Sequence, residues 1–304
     1  MCFVIIINPT IYAKACLNAI SIWGFKILPL LFPFFVITKM IVNLNDSKPN
    51  IMDKLFSRVY NVPNGTFSTF FLASLAGYPT GAKLICEKFE NNQITNQQAK
   101  KMMSFCSVSG PMFMLGTVGI MMLSSYKAGV VVLISNIVAS LLNGIIYRGK
   151  KEQVFNRSQI ITTKKIDFAD SVYDSLIAIL MVGAYVVFSF LIIEIFNTLG
   201  IIKFISNAIC LVFNCCQYQN VVQSFLTGIV EITTGINALS STNVSLFAKT
   251  ILTSALVGFG GLSVMMQNQN FLKKLKIPFK TLLLQKTTQC LLCVLVSALL
   301  LFFL

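Results

Sequence analysis

The chain has no histidine, only ten acidic residues and a single tryptophan among its 304 positions. Without histidine no Cys/His zinc site can form, since such sites combine thiolate and imidazole ligands. A serine–histidine hydrolase and a histidine proton relay are excluded on the same ground. No other nucleophile–base pair or metal-ligand set stands out, so neither an enzyme nor a metal site is expected. Charge is scarce too: 11% of residues are charged, against roughly 25% in a soluble domain. The first apolar run, Cys2 to Ile7, is short and lacks a basic flank, so no cleavable signal peptide is expected. Nine cysteines are scattered, an odd number. Cys290 and Cys293 share one helix face and read as small apolar packing residues. The vicinal pair Cys215-Cys216 is a poor disulfide candidate, because adjacent cysteines form strained bridges.

What the chain has in quantity is apolar surface: 56% hydrophobic residues and a mean hydropathy of +0.78. The runs 128–147, 174–199 and 281–304 each reach the ~20 residues of a spanning helix. An all-α polytopic membrane protein is expected, with the lipid bilayer as its first partner. The net charge of +14 does not point to nucleic acid. Arg148, Lys150, Lys151, Arg157, Lys164 and Lys165 share one loop, and Lys273, Lys274, Lys276 and Lys280 another. Lys48, Lys54 and Arg58 lie in 45–64, while Lys83, Lys88, Lys100 and Lys101 flank an interrupted segment. These are loops and helix ends, where positive charge marks the cytoplasmic side.

Two interruptions break the apolar pattern in corresponding places of the two halves. The first is Leu75-Ala76-Gly77-Tyr78-Pro79-Thr80-Gly81-Ala82, followed by Ser109-Gly110-Pro111. The second is Glu231-Ile232-Thr233-Thr234-Gly235-Ile236-Asn237, followed by Gly258-Phe259-Gly260-Gly261. In lipid every backbone N–H and C=O must be satisfied within the protein. Glycine, proline and hydroxyl residues inside apolar segments therefore suggest backbone that lines a cavity. Paired interruptions are the pattern of a binding site between two repeats.

The halves match at further points. Leu17-x-Ala19-Ile20-x-x-x-Gly24 is met again as Leu176-x-Ala178-Ile179-x-x-x-Gly183, Thr80-Gly81 as Thr234-Gly235, and Ala99-Lys100 as Ala248-Lys249. The reading is two repeats, 11–150 and 166–304. Each holds a first helix (about 11–43; about 172–199) and an interfacial amphipathic stretch (51–60; roughly 201–216). A re-entrant hairpin (about 65–90; about 220–242), a broken helix (about 96–123; about 243–269) and a closing helix follow. That makes about six transmembrane helices plus two re-entrant hairpins. Three crossings per half would invert the second repeat. With the Arg148–Lys165 loop inside, every dense basic cluster falls inside and both termini fall outside.

Asn61-Val62-Pro63, Ala76-Gly77-Tyr78-Pro79-Thr80-Gly81-Ala82-Lys83-Leu84, Ser107-x-Ser109-Gly110-Pro111-Met112-Phe113 and Gly116-Thr117-Val118-Gly119 resemble the YlbJ-type sporulation integral membrane proteins. So do Glu231-Ile232-Thr233-Thr234-Gly235 and Gly258-Phe259-Gly260-Gly261-Leu262-Ser263. The resemblance runs from about Leu17 to the end. It implies a nucleoside-recognition "Gate" protein, alongside the spore maturation proteins and related to concentrative nucleoside transporters, whose cores are inverted repeats with two re-entrant hairpins. It also implies a link to endospore formation and a place in a bacterial inner membrane. The first-helix residues Lys26, Pro29 and Pro33 depart from that pattern.

The candidate solute-binding residues are Tyr78, Thr80, Gly81, Ser107, Ser109, Gly110, Glu231, Thr233, Thr234, Asn237, Gly260 and Ser263. The hydroxyl and amide groups offer neutral hydrogen bonds, and the glycines allow close backbone approach. Small residues also serve simply to pack helices together. Glu231 is the sharpest, because a carboxylate in an apolar segment is costly and by default functional. It could take a proton, bind Na⁺ or meet a ligand's donors; the bland alternative is an interfacial position at the hairpin mouth. Lys26 is expected to snorkel or to pair with a buried acid. The leading function is transport of a small polar, nucleoside-like solute, with coupling to Na⁺ or H⁺ left open. The alternative is a non-transporting assembly or signalling factor of spore formation. No cofactor is expected, and homo-oligomer formation stays open.

Overall fold

The computed structural model describes residues 6, 8–44, 51–150, 168–273 and 275–303. Of the basic residues counted above, Lys48, Lys151, Arg157, Lys164, Lys165 and Lys274 lie outside them. The described chain is helical throughout, with no strand among the described residues. Helix α1 (Pro9–Ile22) continues through a π turn, Trp23–Ile27, into α2 (Leu28–Leu44). Then follow α3 (Ile51–Tyr60), α4 (Thr66–Ala76), α5 (Thr80–Glu90) and α6 (Asn96–Cys106). A π-helical segment, Phe113–Met122, leads to α7 (Tyr126–Ile146). The remainder is α8 (Phe168–Thr198), α9 (Ile201–Val212), α10 (Gln219–Val230), α11 (Ile232–Ser240), α12 (Leu246–Phe259), α13 (Gly261–Leu272) and α14 (Phe279–Phe303).

By length and composition, five helical stretches among the described residues can cross a membrane: Pro9–Ile37, Tyr126–Ile146, Phe168–Thr198, Leu246–Gln269 and Phe279–Phe303. This is an all-α membrane protein. The sixth expected crossing, 96–123, is not one helix. Its first part, α6, is polar and opens on a capping box: Thr95 Oγ1 accepts from Gln98 N at 3.1 Å, and Gln98 Oε1 from Thr95 N at 2.9 Å. Its second part is the apolar π segment, and Ser107 to Gly110 between them is non-helical. Pro111 opens the second part, where a missing N–H costs nothing. Pro29 and Pro33, by contrast, leave one helical stretch, with the wide π turn just before them.

Helix α14 shows why the fold belongs in lipid. Its buried positions are Leu282, Gln285, Lys286, Gln289, Cys293 and Ser297, spaced by three and four. Its exposed positions include Leu291, Leu295, Leu299 and Phe302, all apolar. A helix with polar groups inward and leucine outward is stable only where the surroundings are hydrocarbon.

Three apolar clusters hold the helices. The first packs α1 and α2 on α8, burying Ala19, Ile27, Leu31, Ile179 and Val186. There Trp23 lies against the bare backbone of Gly183 and donates from Nε1 to Ile179 O at 3.2 Å. The second cluster joins the π segment and α7 to α11 and α12 through Met114, Val118, Val132, Ile236 and Leu256. The third packs Tyr60, Phe70 and Phe105 with Leu272, Leu275 and Leu282, and Tyr60 stacks on Phe105 at 4.8 Å. Amphipathic α3 also buries Asp53, whose Oδ1 accepts from Phe67 N at 3.1 Å in the first turn of α4.

Candidate functional site

Four helix ends meet at one point. Helices α4 and α5 form a helical hairpin whose tip is Gly77-Tyr78-Pro79, and Gly77 has φ of 71°. A Cβ on Gly77 would stand 2.6 Å from Gly110 N, and one on Gly81 would stand 2.0 Å from Cys106 O. The tip is thus pressed backbone to backbone against the 107–110 break, an approach that only glycine permits. Helices α10 and α11 form the second hairpin, joined by Glu231 alone in extended conformation. Here Gly235 faces Gly228, with only 2.1 Å between its ideal Cβ and Gly228 Cα. The second break, Gly260-Gly261, touches both tips. Gly260 lies 3.2 Å from Tyr78 Oη and Gly261 3.2 Å from Ile232 N, measured from their ideal Cβ positions.

Between these ends is a cavity of about 70 Å³. Its polar wall comprises Tyr78, Ser109, Glu231, Thr233, Ser263 and Gln267; its apolar wall includes Ile27, Leu31, Phe35, Phe113 and Val186. Of the expected site residues, Tyr78, Ser109, Gly110, Glu231, Thr233 and Ser263 line it. The other six stand behind it. Thr80 N closes the first tip by donating to Gly77 O at 3.0 Å. Gly81 and Gly260 provide the close approaches described above. Ser107 Oγ accepts from Asn268 Nδ2 at 3.1 Å. Thr234 bonds to Glu231, and Asn237 Oδ1 accepts from Lys26 Nζ at 2.7 Å. Lys26 therefore meets a neutral amide oxygen in the second hairpin; a buried acid was one of the two alternatives expected of it, beside snorkelling.

Glu231 is 1% exposed and lines the cavity. Its carboxylate accepts from Thr233 N at 3.0 Å, Thr234 N at 2.6 Å and Thr234 Oγ1 at 2.6 Å. It is the N-cap of α11, where unpaired N–H groups and the positive end of the helix dipole favour an anion.

The sequence reading passed over a second buried charge. Lys286 of α14 is 1% exposed. Its Nζ donates to Tyr78 Oη at 2.7 Å, to Gln289 Oε1 at 2.9 Å and to Ser107 O. Ser107 is the C-cap of α6, so the ammonium sits at the negative end of that dipole. Around it runs a buried amide network. Gln289 Nε2 donates to Asn136 Oδ1 at 3.2 Å, and Asn143 Nδ2 to Ser104 O at 2.8 Å and to Gln285 O at 3.1 Å. The signal was present, for Gln285-Lys286-x-x-Gln289 puts three polar groups within two turns of an apolar helix.

A second concavity of about 560 Å³ lies among the ends of α8 to α11. Asn197, Gln217, Tyr218, Asn220, Gln223, Thr227 and Asn243 contribute to its wall, which contains amide and hydroxyl groups and no charged side chain.

The chain is similar to the sporulation integral membrane protein YlbJ of Bacillus subtilis (strain 168), 24% identical over 317 aligned positions. The match spans 94% of this chain and 76% of that protein. The YlbJ-type resemblance of the two interruptions thus extends along nearly the whole chain. No family model and no solved structure matches the chain.

Proposed function

We propose that the protein is a carrier for a small, uncharged polar solute, nucleoside-like in its hydrogen-bonding groups, and that it acts in spore formation. The observation that carries this is the convergence of two hairpin tips and two helix breaks on one buried cavity with hydroxyl and amide groups in its wall. Packing alone does not require both halves to break at the same place. In this reading α4–α5 and α10–α11 enter the membrane and return on the same side, and the second half is inverted relative to the first. Both charges near the cavity are spent on helix ends, which leaves neutral groups for the solute. The second concavity offers the same neutral chemistry at about 560 Å³, within the ~300–1,000 Å³ of ordinary ligand sites. The sporulation role rests on the similarity to the Bacillus subtilis protein.

One feature favours the alternative of a non-transporting assembly or signalling factor. The inner cavity, at about 70 Å³, has room for about two waters. A carrier must open it by parting the tips. The deciding experiment is a stability screen of the purified full chain against uncharged nucleosides, free bases and small polyols. The carrier reading expects a saturable rise in unfolding midpoint that Ser109→Ala and Thr233→Val weaken. If no solute in the panel shifts the midpoint, while liposomes holding the protein remain impermeable to all of them, the assembly reading stands instead.

A further inference from the structure

We infer that Lys286 is the protein's own built-in cation, seated in an oxygen cage that would otherwise hold a free monovalent cation. The break after α6 leaves the Ser107 carbonyl outside any helix ladder, and such unwound carbonyls are the usual ligands of coupling cations in broken-helix membrane proteins. Here Ser107 O, Tyr78 Oη and Gln289 Oε1 converge on one point, and the point is filled by Lys286 Nζ. The Tyr78 ring adds its face, 4.9 Å from the ammonium to the centroid.

The cage is fixed before the cation is considered. Tyr78 Oη donates to Ser107 O at 3.2 Å, and Gln289 is held through its amide by Asn136. Each oxygen therefore turns a lone pair toward the ammonium. An ammonium has three N–H donors, and three acceptors take them. None is left for an anion, so Lys286 is not a hand for a phosphate or carboxylate ligand. Among the described residues no ion pair includes it. Its charge is met by the carbonyl end of α6 and by neutral oxygens, as a bound metal cation's would be.

Free Na⁺ or K⁺ then has no place at this break, and neither should stabilise the protein specifically. Removing the side chain should create a cation site. The inference concerns the same junction as the proposed carrier site, but its readout is stability in salt, so it can fail or succeed whether or not a solute is found.

The experiment measures the unfolding midpoint of the purified full chain at constant ionic strength in NaCl, KCl, choline chloride and n-propylammonium chloride. Wild type should show the same midpoint in all four. Lys286→Ala should lose several degrees in choline and regain most of them in n-propylammonium, which replaces Cγ to Nζ atom for atom, with a smaller gain in NaCl. A Na⁺-specific rise in the wild type overturns the inference, as does a Lys286→Ala variant equally unstable in all four salts. Should Lys286→Ala not fold, Lys286→Met decides. That side chain fills the space without charge, so a midpoint lower than wild type in every salt supports the cage, and an unchanged midpoint sinks it.

Discussion

Glu231 and Lys286 are both 1% exposed, and each sits on a helix end of the opposite sign. The carboxylate closes the N-terminus of α11 and the ammonium the C-terminus of α6. Buried charges survive only where such groups replace water. This sets what Glu231→Gln should do. An amide oxygen in the place of Oε2 can keep two of the three bonds, with lower charge, while Thr233 N loses its acceptor, so folding stability should fall by about 1–2 kcal/mol. A thermal unfolding comparison in detergent tests this, and an unchanged midpoint would mean that the cap contributes nothing. Tyr78→Phe removes the oxygen that accepts from Lys286 and leaves a buried N–H without a partner. That should cost about 1–3 kcal/mol, and a neutral result would show that water takes the oxygen's place.

At the scale of elements, the hairpins depend on contact between backbones. Gly235 and Gly228 bring α10 and α11 together with no side chain between them. Gly235→Ala should force these helices apart and abolish the monodisperse folded peak on detergent size exclusion, because overpacking at a rigid backbone cannot be relieved by a rotamer change. Gly24 has no atom within 4 Å of its ideal Cβ, so Gly24→Ala is the matched control and should fold normally. The link between α1–α2 and α11 rests on Lys26 and Asn237. Lys26→Met and Asn237→Leu should each destabilise, and the double variant should cost less than the two added together, by about 0.5–3 kcal/mol of coupling. Strict additivity would show that the 2.7 Å contact carries no energy.

At the scale of the molecule, the open question of sidedness has a direct test. Asn91 is exposed at the turn after α5, and Asn243 is exposed in the loop before α12. In a cysteine-free background, Asn243→Cys should react with an impermeant maleimide applied to intact cells, and Asn91→Cys only after permeabilisation. The charge pattern behind this expectation places Lys83 and Lys88 of α5 inside. The opposite labelling would reverse the topology, and labelling of both from outside would remove the inversion between the halves.

How much of this was legible in advance differs with the kind of property. Apolar length, helix-breaking glycine and proline, and the clustering of positive charge belong to short stretches of chain. Composition and local sequence therefore yielded the membrane class, the long crossings and the neighbourhoods of the interruptions, 75–82, 109–111, 231–237 and 258–261, although the non-helical backbone is confined to 77–79, 107–110, 231 and 260. The break in 96–123 was visible as Ser-Gly-Pro, yet its effect on the crossing was underestimated because the polar start of α6 was counted as spanning. What meets what is a property of the fold. Tyr78 and Lys286 lie 208 residues apart, and nothing local says that the first hairpin tip and the last helix share a hydrogen bond. Only tertiary packing settled that Glu231 is held by its own hairpin, that Lys26 finds Asn237, and that the site residues divide into those facing the cavity and those behind it. Hydrophobicity and propensity act through immediate neighbours in sequence, whereas the pairing of buried charges and dipoles is decided by helices brought together across the whole chain.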